Sequence, residues 1–231
     1  MELIMLKLKM PDSGYDGILI TFCGLDGCGK TSIINDVSGY LATEYGIRPE
    51  RTKQPTDSVR KSKIFRTYMD DPEHGEYDYR SLSLLAASDR LQHSNKKIMP
   101  LLKNGETVIS DRYFYSCLAN LRARGFTEDS WIYEISRFVP RPDIAFFLDV
   151  PVKTAIQRVR QRPDEKNRYV DIELQFRLRQ EYLDIAKNNG GIIVSTNQPY
   201  QNSFAEVKQH IDWLISEKSS GKLLIPRSAQ V

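Results

Sequence analysis

A chain of 231 residues, 40% hydrophobic and 27% charged, has enough apolar material for one sizeable core under an ordinary hydrophilic surface. A net charge of +3 is too mild to argue for nucleic acid, and no apolar run is long enough to span a membrane. The opening MELIMLKLKM lacks the basic start, long apolar stretch and cleavage site of a signal peptide.

Residues 17–23 form a short apolar, β-branched run that reads as a buried strand. Gly24-Leu25-Asp26-Gly27-Cys28-Gly29-Lys30-Thr31 follows and satisfies G-x-x-x-x-G-K-[ST]. Residues 32–37 then place apolar side chains at helical spacing, so the motif joins a strand to a helix. Glycines there let backbone N–H groups wrap a phosphate chain, and the helix adds its positive end. Lys30 is placed to neutralise the β- and γ-phosphates, and the Thr31 hydroxyl to hold Mg²⁺. The segment reads as a nucleotide-binding loop.

Further along, 50–54 reads as a second strand ending at Pro55, and helices are expected over 57–69 and 79–102, separated by a polar stretch. A third strand at 106–110 ends at Asp111-Arg112, and helical patches at 114–124 and 129–138 precede the Pro140/Pro142 break. Residues 143–150 make the fourth strand, followed by helices over 152–161 and 171–187. Gly190 and Gly191 stop the latter, 192–194 is the fifth strand, and a closing helix covers 203–216. This alternation predicts an α/β, three-layer architecture: a five-stranded parallel sheet flanked by helices, with ligands at the carboxyl ends of the strands. One domain at 17–217 is expected, between an N-terminal extension (1–16) and a C-terminal tail (218–231) of no assigned role.

Asp111 falls on the same sheet edge as the phosphate loop, where a carboxylate can order the water shell of Mg²⁺. Arg112 next to it can meet a transferred or an acceptor phosphate; the plainer alternative is a helix-capping aspartate beside a surface arginine. The stretch 158–168 carries five basic and two acidic residues. Such a connector is either solvated surface or, beside a phosphate loop, a lid at about 158–169 that supplies Arg158, Arg162 and Arg168, with Arg160 facing solvent. On the helix at 79–102, Ala86 and Arg90 share a face, and His93 beside them reads as structural. Cys23, Cys28 and Cys117 have no metal-like spacing, which points to reduced thiols and a cytoplasmic protein.

With these pieces in order, the chain resembles the thymidylate kinase family of nucleoside monophosphate kinases. The matching segments are GLDGCGKTS at 24–32, Pro55, LLAASDRLQH at 84–93, SDRYFYS at 110–116 and DIELQFRLRQEYLDIA at 171–186. The resemblance implies a P-loop NTPase with a lid, ATP as phosphoryl donor, Mg²⁺ as cofactor and a nucleoside monophosphate as acceptor. It also implies a homodimer formed through helices near 80–135, with no nucleic-acid or membrane partner. Gly24 to Thr31 and Ser32 would hold the donor phosphates, and Thr31 and Asp111 the metal. Gln54, Pro55, Ala86, Arg90, Arg112, Ser116 and Asn120 would face the acceptor. Lys30, Asp26, Arg112 and the lid arginines Arg158, Arg162 and Arg168 would act in transfer. Gly27 stands where some members carry a loop arginine, which leaves that charge to the lid.

The departures fall on the acceptor side. Family members usually place an aromatic residue four before the arginine matching Arg90, to stack on thymine; here it is Ala86. The family's S-x-x-A-Y-Q reads Ser116-Cys117-Leu118-Ala119-Asn120-Leu121, the acidic residue before the proline is Gln54, and D-R-x-E reads Asn167-Arg168-Tyr169-Val170. An acceptor other than dTMP is therefore expected, unless Tyr113, Phe114 or Tyr115 supplies the missing ring. Two further functions fit the motifs: a kinase for a hydroxyl acceptor on the same scaffold, and a nucleotide-dependent switch. A GTPase switch would want N-K-x-D, which Ser195-Thr196-Asn197-Gln198 does not provide.

Overall fold

Five short strands pair in parallel in the order β2-β3-β1-β4-β5. They are β1 (Ile18–Cys23), β2 (Glu50–Lys53), β3 (Thr107–Asp111), β4 (Ile144–Asp149) and β5 (Ile192–Ser195). The computed structural model describes residues 7–70, 77–166 and 169–220. Every residue of β1 is buried, as are all but the last of β3 and β4, because helices cover both faces of the sheet. Phe22 and Phe146 stack across the β1–β4 pair with ring centroids 5.0 Å apart. Edge strand β2 alternates half-buried and exposed residues, because successive side chains point to opposite faces and only one face is covered there.

The helices are α1 (Lys30–Tyr45), α2 (Asp57–Arg60), α3 (Lys63–Asp70), α4 (Tyr79–His93), α5 (Met99–Lys103), α6 (Phe114–Ala123), α7 (Trp131–Ser136), α8 (Val152–Arg160), α9 (Ile172–Asn188) and α10 (Tyr200–Ser219). The helix expected over 57–69 is two pieces, α2 and α3. The one expected over 79–102 is interrupted by a π turn at Ser94–Ile98, between α4 and α5. Pro100 accounts for the interruption, since its ring clashes with the carbonyl four residues back and its nitrogen donates nothing. Aspartates 78 and 171 cap α4 and α9 by accepting from the Ser81 and Leu174 N–H groups at 3.1 and 2.9 Å.

Leu8 and Met10 of the N-terminal extension join the main core. The Leu8 N–H donates to Asn189 Oδ1 at 2.8 Å, the Arg141 N–H donates to the Pro11 carbonyl at 2.7 Å, and Arg141 pairs with Asp12. Asn189 and Arg141 lie just before β5 and β4, so this segment runs under the edge of the sheet opposite the phosphate loop. Lys218, near the end of α10, pairs with Asp143 at 3.0 Å on that same edge.

Candidate active site

The phosphate loop is set by three glycines in left-handed or otherwise glycine-favouring backbone: Gly24 (φ +138°), Gly27 (φ +84°) and Gly29 (φ +92°), the last leading into α1. A Cβ on Gly27 would lie 2.2 Å from the Ala155 carbonyl oxygen and 3.1 Å from Val159 Cγ2. Helix α8 therefore rests directly on the loop, which leaves no room for a side chain at 27, an arginine least of all. The Lys30 side chain curls back: its ammonium donates to the carbonyls of Gly24 at 3.1 Å and Leu25 at 2.8 Å, and the residue is only 7% exposed. An incoming anion competes with those two carbonyls for the charge.

Asp26, Gly27, Gly29, Lys30 and Thr31 line a cavity of about 720 Å³, a size suited to small-molecule ligands. Leu25 and Cys28 are buried in the core instead, and toward Lys30 the loop presents the carbonyls of Gly24 and Leu25 together with Cys28 Sγ at 3.6 Å. Ser32 lies on the exposed first turn of α1, outside the cavity wall.

Parallel pairing puts Phe22 opposite Asp111 and Lys53 opposite Asp111, so the loop and the end of β3 share one sheet edge. Asp111 Oδ2 is 3.5 Å from Lys53 Nζ, whereas Oδ1 is buried without a hydrogen-bond partner. A carboxylate oxygen left unpaired in this way is suited to a water or cation from the ligand side. Among the described residues no cluster of three His, Cys, Asp or Glu could hold a metal by itself. Asp111 and the Thr31 hydroxyl fit Mg²⁺, which takes few protein ligands and keeps its waters and substrate phosphates.

Arg112 is the one described non-glycine residue with positive φ (67°). Such a backbone costs about 1–3 kcal/mol and is typical of sites. It is held by its own N–H donating to the Phe22 carbonyl (2.8 Å) and by the Ser110 hydroxyl donating to the Arg112 carbonyl (2.7 Å). The strain aims the guanidinium back at the loop, where it donates to the Gly24 carbonyl (3.0 Å), Asp26 Oδ1 (2.5 Å) and the Tyr182 hydroxyl (2.9 Å). Tyr182 in turn donates to Ser116 Oγ at 3.1 Å. Burial pushes the Tyr182 phenol up to about 12, keeping it neutral and able both to accept from Arg112 and to donate to Ser116. Arg60, across the cavity, is pulled below the usual arginine range by burial and then by the Arg112 charge. An anionic ligand relieves that crowding of cations.

The other end of the cavity lies between two helix faces with four-residue spacing, Leu82–Ala86–Arg90 on α4 and Ser116–Asn120–Arg124 on α6, with Phe65, Tyr68 and Met69 of α3 alongside. Pro55, Ala86, Arg90, Ser116 and Asn120 all line it. Arg90 is 4% exposed; it donates to the Ala86 carbonyl at 2.9 Å, and its Nε is buried without a partner. Asn120 is tied to its own helix, with Nδ2 donating to the Ser116 carbonyl (2.9 Å) and Oδ1 accepting from Arg124 (3.0 Å).

Several expected site residues stand elsewhere. Gln54 is fully buried behind the cavity, its amide nitrogen 3.1 Å from His93 Nδ1 and 3.4 Å from Ser94 Oγ, because the chain turns inward before the cis peptide to Pro55. Arg158 turns away from the cavity toward the end of β5, donating to the Thr196 carbonyl at 3.0 Å. Arg162 does line the cavity, Arg160 is exposed outside it, and Arg168 lies outside the described residues. Tyr113, Phe114 and Tyr115 are core residues that cannot supply a stacking ring. The rings on the cavity wall are Phe65, Tyr68, Tyr79 and Tyr169. Sequence reasoning missed Arg60, Arg124 and Tyr182. Only Arg124 left a readable signal, its spacing of four and eight from Asn120 and Ser116.

The sequence model of the thymidylate kinase family matches residues 22–207, most of the chain. The chain belongs to the thymidylate kinase family. It is 36% identical over 173 residues to a probable thymidylate kinase of Pyrococcus horikoshii, covering 74% of this chain and 83% of that one. A probable thymidylate kinase of Thermococcus gammatolerans is 33% identical over 207 residues, covering 87% of this chain and 97% of its own. The crystal structure of thymidylate kinase from Ehrlichia chaffeensis superposes with a TM-score of 0.66 at 27% identity, covering 84% of this chain and 98% of that one. Membership makes the chain a phosphotransferase, and its five-stranded parallel sheet flanked by helices matches the P-loop fold of the family. No described helix is long and apolar enough to cross a membrane.

Proposed function

We propose that this chain transfers the γ-phosphoryl group of ATP to a nucleoside monophosphate, and that dTMP is not its best acceptor. The observation that carries the reading is the single cavity running from the phosphate loop to Ala86, lined along its length by Lys30, Arg60, Arg112 and Arg90. Cations at both the loop and the middle of the cavity suit two phosphate-bearing substrates, which favours a monophosphate over a hydroxyl acceptor. Positioning two polyanions and screening their charge supplies most of the rate. Thr31 and Asp111 would hold Mg²⁺, which would supply charge neutralisation to the donor phosphates. Arg112, fixed by Asp26 and Tyr182, orients the acceptor phosphate, and Arg162 on the segment 158–169 reaches the transferring group. Arg158 acts instead on the donor side, through the turn after β5.

Ala86 removes the ring that stacks on thymine in the family, and stacking on an aromatic side chain is worth about 1–3 kcal/mol per base. The family likeness also supports a homodimer through the α4–α7 region, where Leu84 and Leu85 are exposed, and a cytoplasmic setting for three unpaired buried cysteines. The test is coupled-assay kcat/KM with ATP and Mg²⁺ for dTMP, dUMP, UMP, dCMP and dGMP. ADP release that depends on a monophosphate is the expected result. Release at the same rate with no acceptor would leave only a nucleotide-dependent switch.

A further inference from the structure

Arg124 ends α6 at the far side of the cavity, beyond Ala86, and no acid among the described residues pairs with it. Its guanidinium lies 4.0 Å from the centre of the Tyr79 ring and 5.8 Å from that of Tyr68. One nitrogen is spent on Asn120, donating to its carbonyl and its Oδ1 at 3.1 and 3.0 Å. The remaining N–H groups have no acceptor among the described residues. A half-buried guanidinium, flattened on a ring and short of acceptors, is poised for a ligand that brings one, and an oxygen-bearing group meets its planar fork best.

Position matters as much as charge. Helices α4 and α6 present the faces Leu82–Ala86–Arg90 and Ser116–Asn120–Arg124 to the cavity, and Arg124 stacks on Tyr79 at the start of α4 while Arg90 is near its end. Arg124 thus lies toward the start of α4, whereas the Arg90 guanidinium folds back from its later turn onto the Ala86 carbonyl, so both border the cavity that Ala86 lines. A phenylalanine or tyrosine at 86 would fill the route between them; alanine leaves it clear.

We propose that Arg124, oriented by Asn120 and Tyr79, is a specificity-determining residue that reads an oxygen-bearing group on the acceptor's base, larger than the methyl of thymine. Arg90 holds one end of the base and Arg124 the substituent at the other. This rests on the phosphotransfer reading above. The bland alternative is a cation–π clamp that merely joins α6 to the tyrosines of α3 and α4. Such a clamp would change stability in a variant without changing the ranking of acceptors.

The experiment compares kcat/KM for 5-hydroxymethyl-dUMP, 5-carboxy-dUMP and dTMP in the unmodified protein, Arg124→Gln and Arg124→Lys, with thermal melts of each. The unmodified protein should prefer the oxygen-bearing analogues to dTMP by about tenfold or more, the worth of one hydrogen bond from a charged donor. Arg124→Gln should bring that ratio to about one, and Arg124→Lys, a charge without the planar fork, should leave it in between. If the glutamine variant does not fold, the ratio in the lysine variant decides. A preference for dTMP in the unmodified protein, or a ratio the substitutions do not move, overturns the inference while monophosphate kinase activity stands. No turnover of any monophosphate overturns the kinase reading and this inference with it.

Discussion

Replacing Gly27 by alanine puts a methyl group where the backbone of α8 stands. The new Cβ would lie 2.2 Å from the Ala155 carbonyl oxygen and 3.0 Å from its carbonyl carbon. The loop or the helix must then retreat by about 1 Å to regain ordinary contact. A left-handed backbone at a residue with a Cβ costs about 1–2 kcal/mol, and overpacking adds about 1–3. For a domain of this size the total lowers Tm by about 5–15 °C. The same retreat moves the N–H groups that cradle phosphate, and a shift of about 1 Å costs on the order of 100-fold in kcat/KM. Gly46→Ala separates the two terms: it also has positive φ (+67°), but nothing lies within 4 Å of its Cβ. That variant should lose only the conformational part of the stability and keep its activity. Differential scanning fluorimetry and a coupled ADP assay on both proteins make the comparison. If Gly27→Ala melts with Gly46→Ala and keeps kcat/KM within about twofold of the parent, the contact with α8 does not hold the loop.

Tyr182→Phe removes a buried hydrogen bond to Arg112 and one to Ser116, so stability should fall by about 1–3 kcal/mol in urea titration. A larger loss in kcat than in KM for ATP would confirm that it positions Arg112 rather than binding the donor. Arg162→Ala should lower kcat with little change in KM for ATP, whereas Arg158→Ala, which loses the Thr196 contact, should mainly raise KM for ATP; steady-state kinetics with the two effects interchanged would refute the assignment. Burial holds His93 below its ordinary 6.5, so the folded state binds fewer protons than the unfolded one in this range. Its contribution is complete above the unfolded value and is lost as pH falls toward the folded one. Between about pH 7 and 5 the parent's Tm should therefore drop further than that of His93→Gln, and parallel curves would contradict this.

What the chain itself determined is local and periodic. The strand–loop–helix with its G-x-x-x-x-G-K-[ST] spacing, the five strands and the edge on which Asp111 falls all follow from hydrophobic pattern and turn chemistry over short spans, as do the four-residue steps that align Ala86 with Arg90. What needed the tertiary structure was every choice made by a partner distant in sequence. Gln54 looks like a ligand beside Pro55 until His93 and Ser94 draw its amide behind the cavity. Arg158 and Arg162 look equivalent on a basic connector, yet only Arg162 lines the cavity, because the turn after β5 offers Arg158 a carbonyl. Gly27 reads as loop flexibility, and only the carbonyl of Ala155, 128 positions away in the numbering, makes glycine obligatory there. Side-chain direction depends on which backbone or side-chain group waits across the fold, and neighbours along the chain carry no record of it.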